Sequence, residues 1–107
     1  MSTARKSSDA MRFLEKVTGG PLTLASAIRA IRLGEEWSLA EMALKLGVSR
    51  GHVSNIEHGK AVSPESAARY AKLLGYSEKQ FIRLALQDQI RRAGLKYRVE
   101  VKAEARR

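Results

Sequence analysis

The 107-residue chain has no cysteine, only two prolines and no long apolar run. Without cysteine there is no disulfide framework, no cysteine-ligated zinc finger and no thiol nucleophile. Without about 20 consecutive apolar residues there is no helical membrane span. No charged start followed by an apolar stretch and a cleavage site is present, so no secretory signal is expected. A reduced, cytoplasmic setting is expected instead. Acidic residues are also scarce, 11 against 20 Lys and Arg, which leaves a formal charge of +9. That balance suggests a polyanionic partner. The charge is unevenly spread, however. Residues 1–20 hold four cations against two acids, residues 91–107 seven against two, and residues 21–90 nine against seven. Composition therefore places the excess at the two ends and leaves the middle to be read by pattern.

What is present is enough apolar residue for one domain, 44% of the chain. Apart from Met1, the first nine residues are Ser, Thr, Ala, Arg and Lys with one Asp, and are expected to be flexible. A short helical turn is expected over 10–17 around Met11, Phe13 and Leu14, before Thr18-Gly19-Gly20-Pro21 breaks the chain. From Thr23 the sequence is punctuated as five helices. Thr23 caps the first, with Leu24, Ile28 and Ile31 on one face, and Gly34-Glu35-Glu36 ends it. Ser38 and Glu41 form a capping box for a second helix over 39–46, with Leu39, Met42, Ala43 and Leu46 inward and Gly47 as its stop. Ser49 caps a third over 50–58, burying Val53 and Ile56. Ser63-Pro64-Glu65 opens a fourth, over 64–74. Ser77 to Gln80 reads as another capping box, opening a fifth helix to about Ala93 with Phe81, Leu84, Ala85 and Ile90 as core.

The period then changes. Leu95, Tyr97, Val99 and Val101 alternate with Lys96, Arg98, Glu100 and Lys102, which predicts a β-strand. One strand cannot satisfy its own backbone groups. The economical partner is the same strand of a second copy, in an antiparallel two-fold ribbon with Leu95, Tyr97, Val99 and Val101 at the interface. The expected organisation is a flexible basic segment over 1–20, a helical domain over 21–94, and a dimerisation strand with a basic tail over 95–107.

Residues 39–58 have the spacing of a helix-turn-helix. Ala43 is small where the next helix crosses, Gly47 supplies a positive φ, and Val48, Val53 and Ile56 plug the third helix onto the core. Ser49, Arg50, Gly51, His52, Ser54 and Asn55 are left on the outward rim, free to enter a major groove. Asn55 is suited to bidentate pairing with adenine, and Arg50 and Lys60 to groove or phosphate contact. His52 and His58 stand about 240° apart around a helix and make a poor metal pair; they are expected at the surface or facing phosphate. Trp37 and Phe81 read as core. No catalytic triad, metal cluster or phosphate-cradling glycine loop is present, so neither an enzyme nor a cofactor is expected.

The segment SLAEMALKLGVSRGHVSNIEHGK resembles the Cro and cI repressor-type (XRE) helix-turn-helix family. The runs A-x-x-x-G-V-S and V-S-x-I-E-x-G occur together and in order, and the likeness extends over about residues 23–92. The resemblance implies an all-α, five-helix, lambda-repressor-like DNA-binding domain. It also implies a homodimeric regulator that represses by occupying a double-stranded operator. Carried over from the family, Arg50, Gly51 and Asn55, with Ser54 beside them, touch bases, and Arg32 pairs with Glu57. The family often has Gln at the first residue of the second helix, touching a phosphate; Leu39 stands there in this chain. The family also includes antitoxins, which bind a toxin protein and autoregulate their operon, and this is the alternative function.

Overall fold

A computed structural model of the chain describes residues 12–14, 16 and 22–105. It contains α1 (Leu24–Gly34), α2 (Leu39–Leu46), α3 (Arg50–Glu57), α4 (Pro64–Leu74) and α5 (Glu78–Arg92). Residues 12–14 and 16 are helical too. Most of the N-terminal segment expected over 1–20, the break at 18–21, and Arg106 and Arg107 lie outside the described residues.

All five helices start on a hydroxyl. Thr23, Ser38, Ser49, Ser63 and Ser77 each accept a hydrogen bond from the amide three residues on, at 3.0–3.2 Å. At Ser38 the box closes, because the Glu41 carboxylate accepts from the Ser38 amide at 2.8 Å. Thr23 has a second box that a Glu or Gln pattern does not reveal: the Ser26 hydroxyl accepts from the Thr23 amide at 3.0 Å. The box expected at Ser77 is only half made. Gln80 Oε1 instead accepts from Arg83 Nε at 3.0 Å, where a charged donor outcompetes a backbone amide.

The end of α1 also departs from expectation. Gly34 stays helical, and Glu36 takes the left-handed position at φ 61. Its amide donates to Leu33 O and the Trp37 amide to Arg32 O, the two bonds of a Schellman closure. A glycine fills the equivalent place after each of the other helices, as Gly47 does at φ 69 after α2.

The helices enclose one core. Ala27, Ile28, Met42, Val53, Ile56, Ala67, Ala71 and Phe81 are fully buried. Leu14 and Leu22 join this core, so the chain before α1 is tied to the domain through Leu14. α4 and α5 form the most extensive helix pair, and α3 packs against both α1 and α2. Leu39, Val48 and Trp37 cover the core from its edge rather than filling it. Ile90, expected inside, is half-buried, in a last turn of α5 whose Gln89, Arg91 and Arg92 are exposed. Trp37 carries Lys45 Nζ 5.0 Å above its ring, which fastens the last turn of α2 to the α1–α2 loop.

No strand is present among the described residues, so the expected C-terminal strand is not formed within one copy. The segment is nevertheless held. Gln87 Nε2 donates to Tyr97 O and Gln87 Oε1 accepts from the Val99 amide, both at 2.8 Å. One side-chain amide thus occupies the inner edge of the segment, as a neighbouring strand's peptide would. Leu95 and Tyr97 are exposed, whereas Val99 and Val101 are half-buried.

Candidate nucleic-acid interface

α3 is short and held from one side. Val53 and Ile56 bury that side completely, and Gly47 lets the chain turn from α2 directly into the Ser49 cap. The flank of α3 is fixed by Glu57. Its Oε2 lies 2.7 Å from Arg32 Nε and its Oε1 accepts from Arg32 NH2 at 3.0 Å. Arg32 NH1 also donates to Trp37 O at 3.1 Å, so one guanidinium links α1, its following loop and α3. The hydrogen bond to Glu57 holds the Arg32 guanidinium above its ordinary range, against the opposing effect of burial.

With that side taken, 100° per residue leaves Gly51, Ser54, Asn55 and His58 as the outward stripe. Gly51 and Asn55 are exposed and Ser54 is half-exposed. Arg50 begins the helix at the rim and is exposed, as is Lys60 just beyond Gly59. A Cβ added at Gly51 would meet nothing within 4 Å, so no packing inside the protein requires a glycine there. The Ser49 oxygen accepts from the His52 amide, which leaves its O–H free to donate outward. His52 lies at the other rim. It is half-buried, with Nε2 3.4 Å from the Tyr70 hydroxyl, and so faces α4 more than solvent.

His58, expected from sequence at the surface or facing phosphate, is exposed and continues the Gly51–Ser54–Asn55 stripe at i+7 from Gly51. Its Nδ1 lies 2.7 Å from Ser54 O, which assigns the proton to Nδ1 and turns Nε2 outward. Arg92 was not singled out from sequence. It donates from NH2 to Gly59 O at 2.8 Å, from 33 residues away, and only the fold brings the two together.

A polar, unobstructed helix face on a rigid support, with Arg50 at its rim, is suited to entering a DNA groove. Side-chain amide and guanidinium groups along it offer donors to base edges and phosphates. No group of His, Cys, Asp and Glu among the described residues could hold a metal ion. None of their helices is long and apolar enough to cross a membrane.

The helix-turn-helix family model matches residues 28–81, half of the chain. The match spans most of α1, all of α2 to α4, and the start of α5. The chain belongs to the Cro/cI-type (XRE) helix-turn-helix family of DNA-binding regulators. No curated protein and no solved structure matches it.

Proposed function

We propose that the chain is a homodimeric, sequence-specific transcriptional repressor that inserts α3 into the major groove of a near-palindromic operator. The observation that carries this is the outward stripe of α3, polar along its length on a helix whose opposite side is buried. In this reading Asn55 pairs with adenine, and Arg50, Ser49 and Lys60 hold the backbone. Gly51 lets the helix approach the groove floor. Bound at a promoter, the protein excludes polymerase.

The C-terminal segment supports the dimer. Tyr97 O and Val99 N point to Gln87, so in an extended chain the amides and carbonyls of Lys96, Arg98 and Glu100 point to the other edge. That outer edge has no partner among the described residues and suits pairing with a second copy. Leu95, Tyr97, Val99 and Val101 then cover one another across the ribbon. Two α3 helices one DNA turn apart, about 34 Å, read both half-sites. Linking them makes the second contact intramolecular and raises affinity without a new kind of contact.

The test is to sequence the fragments that the purified protein retains from a random DNA pool. A symmetric motif with half-sites one turn apart is expected. A pool with no shared motif would remove sequence-specific reading, and a single asymmetric half-site would remove the dimer. A stoichiometric second protein copurifying from the native host would move the reading to the antitoxin.

A further inference from the structure

An open pocket of about 270 Å³ lies where the C-terminal end of α5 meets the loop leaving α3. Lys60, Arg91 and Arg92 line it, with Gly59, Asp88 and Thr23. Three cations therefore share one depression with one carboxylate. The carboxylate is already engaged. Asp88 Oδ2 accepts from the Leu24 amide at 3.1 Å, and Oδ1 lies 3.2 Å from Arg91 NH1. Arg92 spends one N–H on Gly59 O and keeps the rest of its fork. Lys60 has no ion pair among the described residues. The pocket thus holds more positive charge than the fold consumes.

We infer that this pocket binds a DNA backbone phosphate beyond the C-terminal end of α3, with Lys60 and Arg91 as its charge contacts and Arg92 as the brace that positions Gly59. The inference rests on the DNA-binding reading above. The eight residues of α3 span about 12 Å, close to the width of the major groove. A helix of that length lying across the groove brings both its ends to a phosphate strand. Ser49 and Arg50 serve the N-terminal end. At the other end Gly59 leads straight into the pocket, where Lys60 and the guanidinium groups of Arg91 and Arg92 offer charged donors to a phosphate.

The test compares the salt dependence of DNA affinity for the wild type, Lys60→Gln and Lys60→Gln/Arg91→Gln. It uses the full chain, with its selected site and a random duplex. Each lost phosphate contact lowers the slope of log K against log salt by about 0.9. The single variant is expected to lose about one and the double variant about two, with affinity falling equally on both DNAs. Lys60→Gln breaks no contact in the protein, so it keeps the test valid if the double variant unfolds. Unchanged slopes in a folded Lys60→Gln and a folded double variant would overturn the pocket, and with it Lys60 as a backbone contact, while leaving groove reading by Asn55 and Arg50 standing. A wild type with no affinity for either duplex would overturn both.

Discussion

Arg32 and Glu57 meet through two parallel hydrogen bonds, at 2.7 and 3.0 Å, and this pair ties the scaffold to the helix that faces outward. Their side chains are 14% and 6% exposed, so solvent screens them little. Removing either partner strands the other. Arg32→Ala or Glu57→Ala is expected to destabilise by about 1–3 kcal/mol. The double variant is expected to lose clearly less than the two single losses added together. Urea denaturation of the four proteins checks this. Additive losses would mean that the two side chains act independently.

The α1–α2 loop contains a reversed pair. Glu36 holds a left-handed conformation that suits glycine, while Gly34 occupies a helical position that suits alanine. Glu36→Gly is expected to stabilise by about 0.5–1 kcal/mol by relieving that conformation. Gly34→Ala is expected to add up to about 1 kcal/mol, because the new Cβ meets nothing within 4 Å. Thermal unfolding reads both, and a lowered midpoint in either variant contradicts the argument.

On α3, stability and function are expected to separate. Gly51→Ala is expected to raise the unfolding midpoint, since a helical glycine is being replaced in open space. It should also weaken DNA binding if the backbone approaches the groove floor. Asn55→Ala is expected to cost about 1–3 kcal/mol on the selected site and little on random DNA. Equal weakening on both DNAs would show that Asn55 does not read sequence.

The two edges of the C-terminal segment give opposite expectations for proline. Val99 donates to Gln87, so Val99→Pro breaks the tether to α5. Arg98 has its amide on the outer edge, so Arg98→Pro removes a donor from the ribbon itself. Arg98→Pro is expected to sediment as a folded monomer with reduced operator affinity. A dimeric Arg98→Pro would move the interface away from this edge.

Asp88 introduces a pH dependence of unusual sign. Burial pushes its carboxyl above the ordinary 3.8, against the lowering effects of the Leu24 amide, Arg92 and Arg91. Such a group holds its proton more tightly folded than unfolded. Its contribution to stability is complete below 3.8 and is lost as pH rises through the raised folded value. Asp88→Asn keeps an acceptor for Leu24 and removes the titration. Relative to the wild type, this variant is expected to lose stability as pH falls through that window. Denaturation curves at neutral and acid pH check it; a difference that does not change with pH would refute it.

Local signals in this chain were strong because local physics made them. The hydroxyl caps, Pro64 at the start of α4 and the spacing of Val53 and Ile56 act within a turn or two of helix, so five helices and the outward rim of α3 were legible in sequence. Fine competition between side chains was not legible. Gln80 has two possible donors within reach, and choosing Arg83 depends on rotamer and charge rather than on the S-x-x-Q pattern. Gly34 and Glu36 are both near the end of α1, and the length of the helix, set by its packing, decides which one turns.

The sequence by itself determined where helices begin, which faces are apolar and which short helix is left to face outward. Each of these depends on residues a few positions apart. Tertiary structure alone decided that Arg92 reaches Gly59, that Asp88 caps α1 from α5, and that Gln87 claims one edge of the C-terminal segment. These contacts join residues 10 to 64 positions apart. No periodicity encodes such distances, because they exist only after the core has folded and fixed the helices against one another.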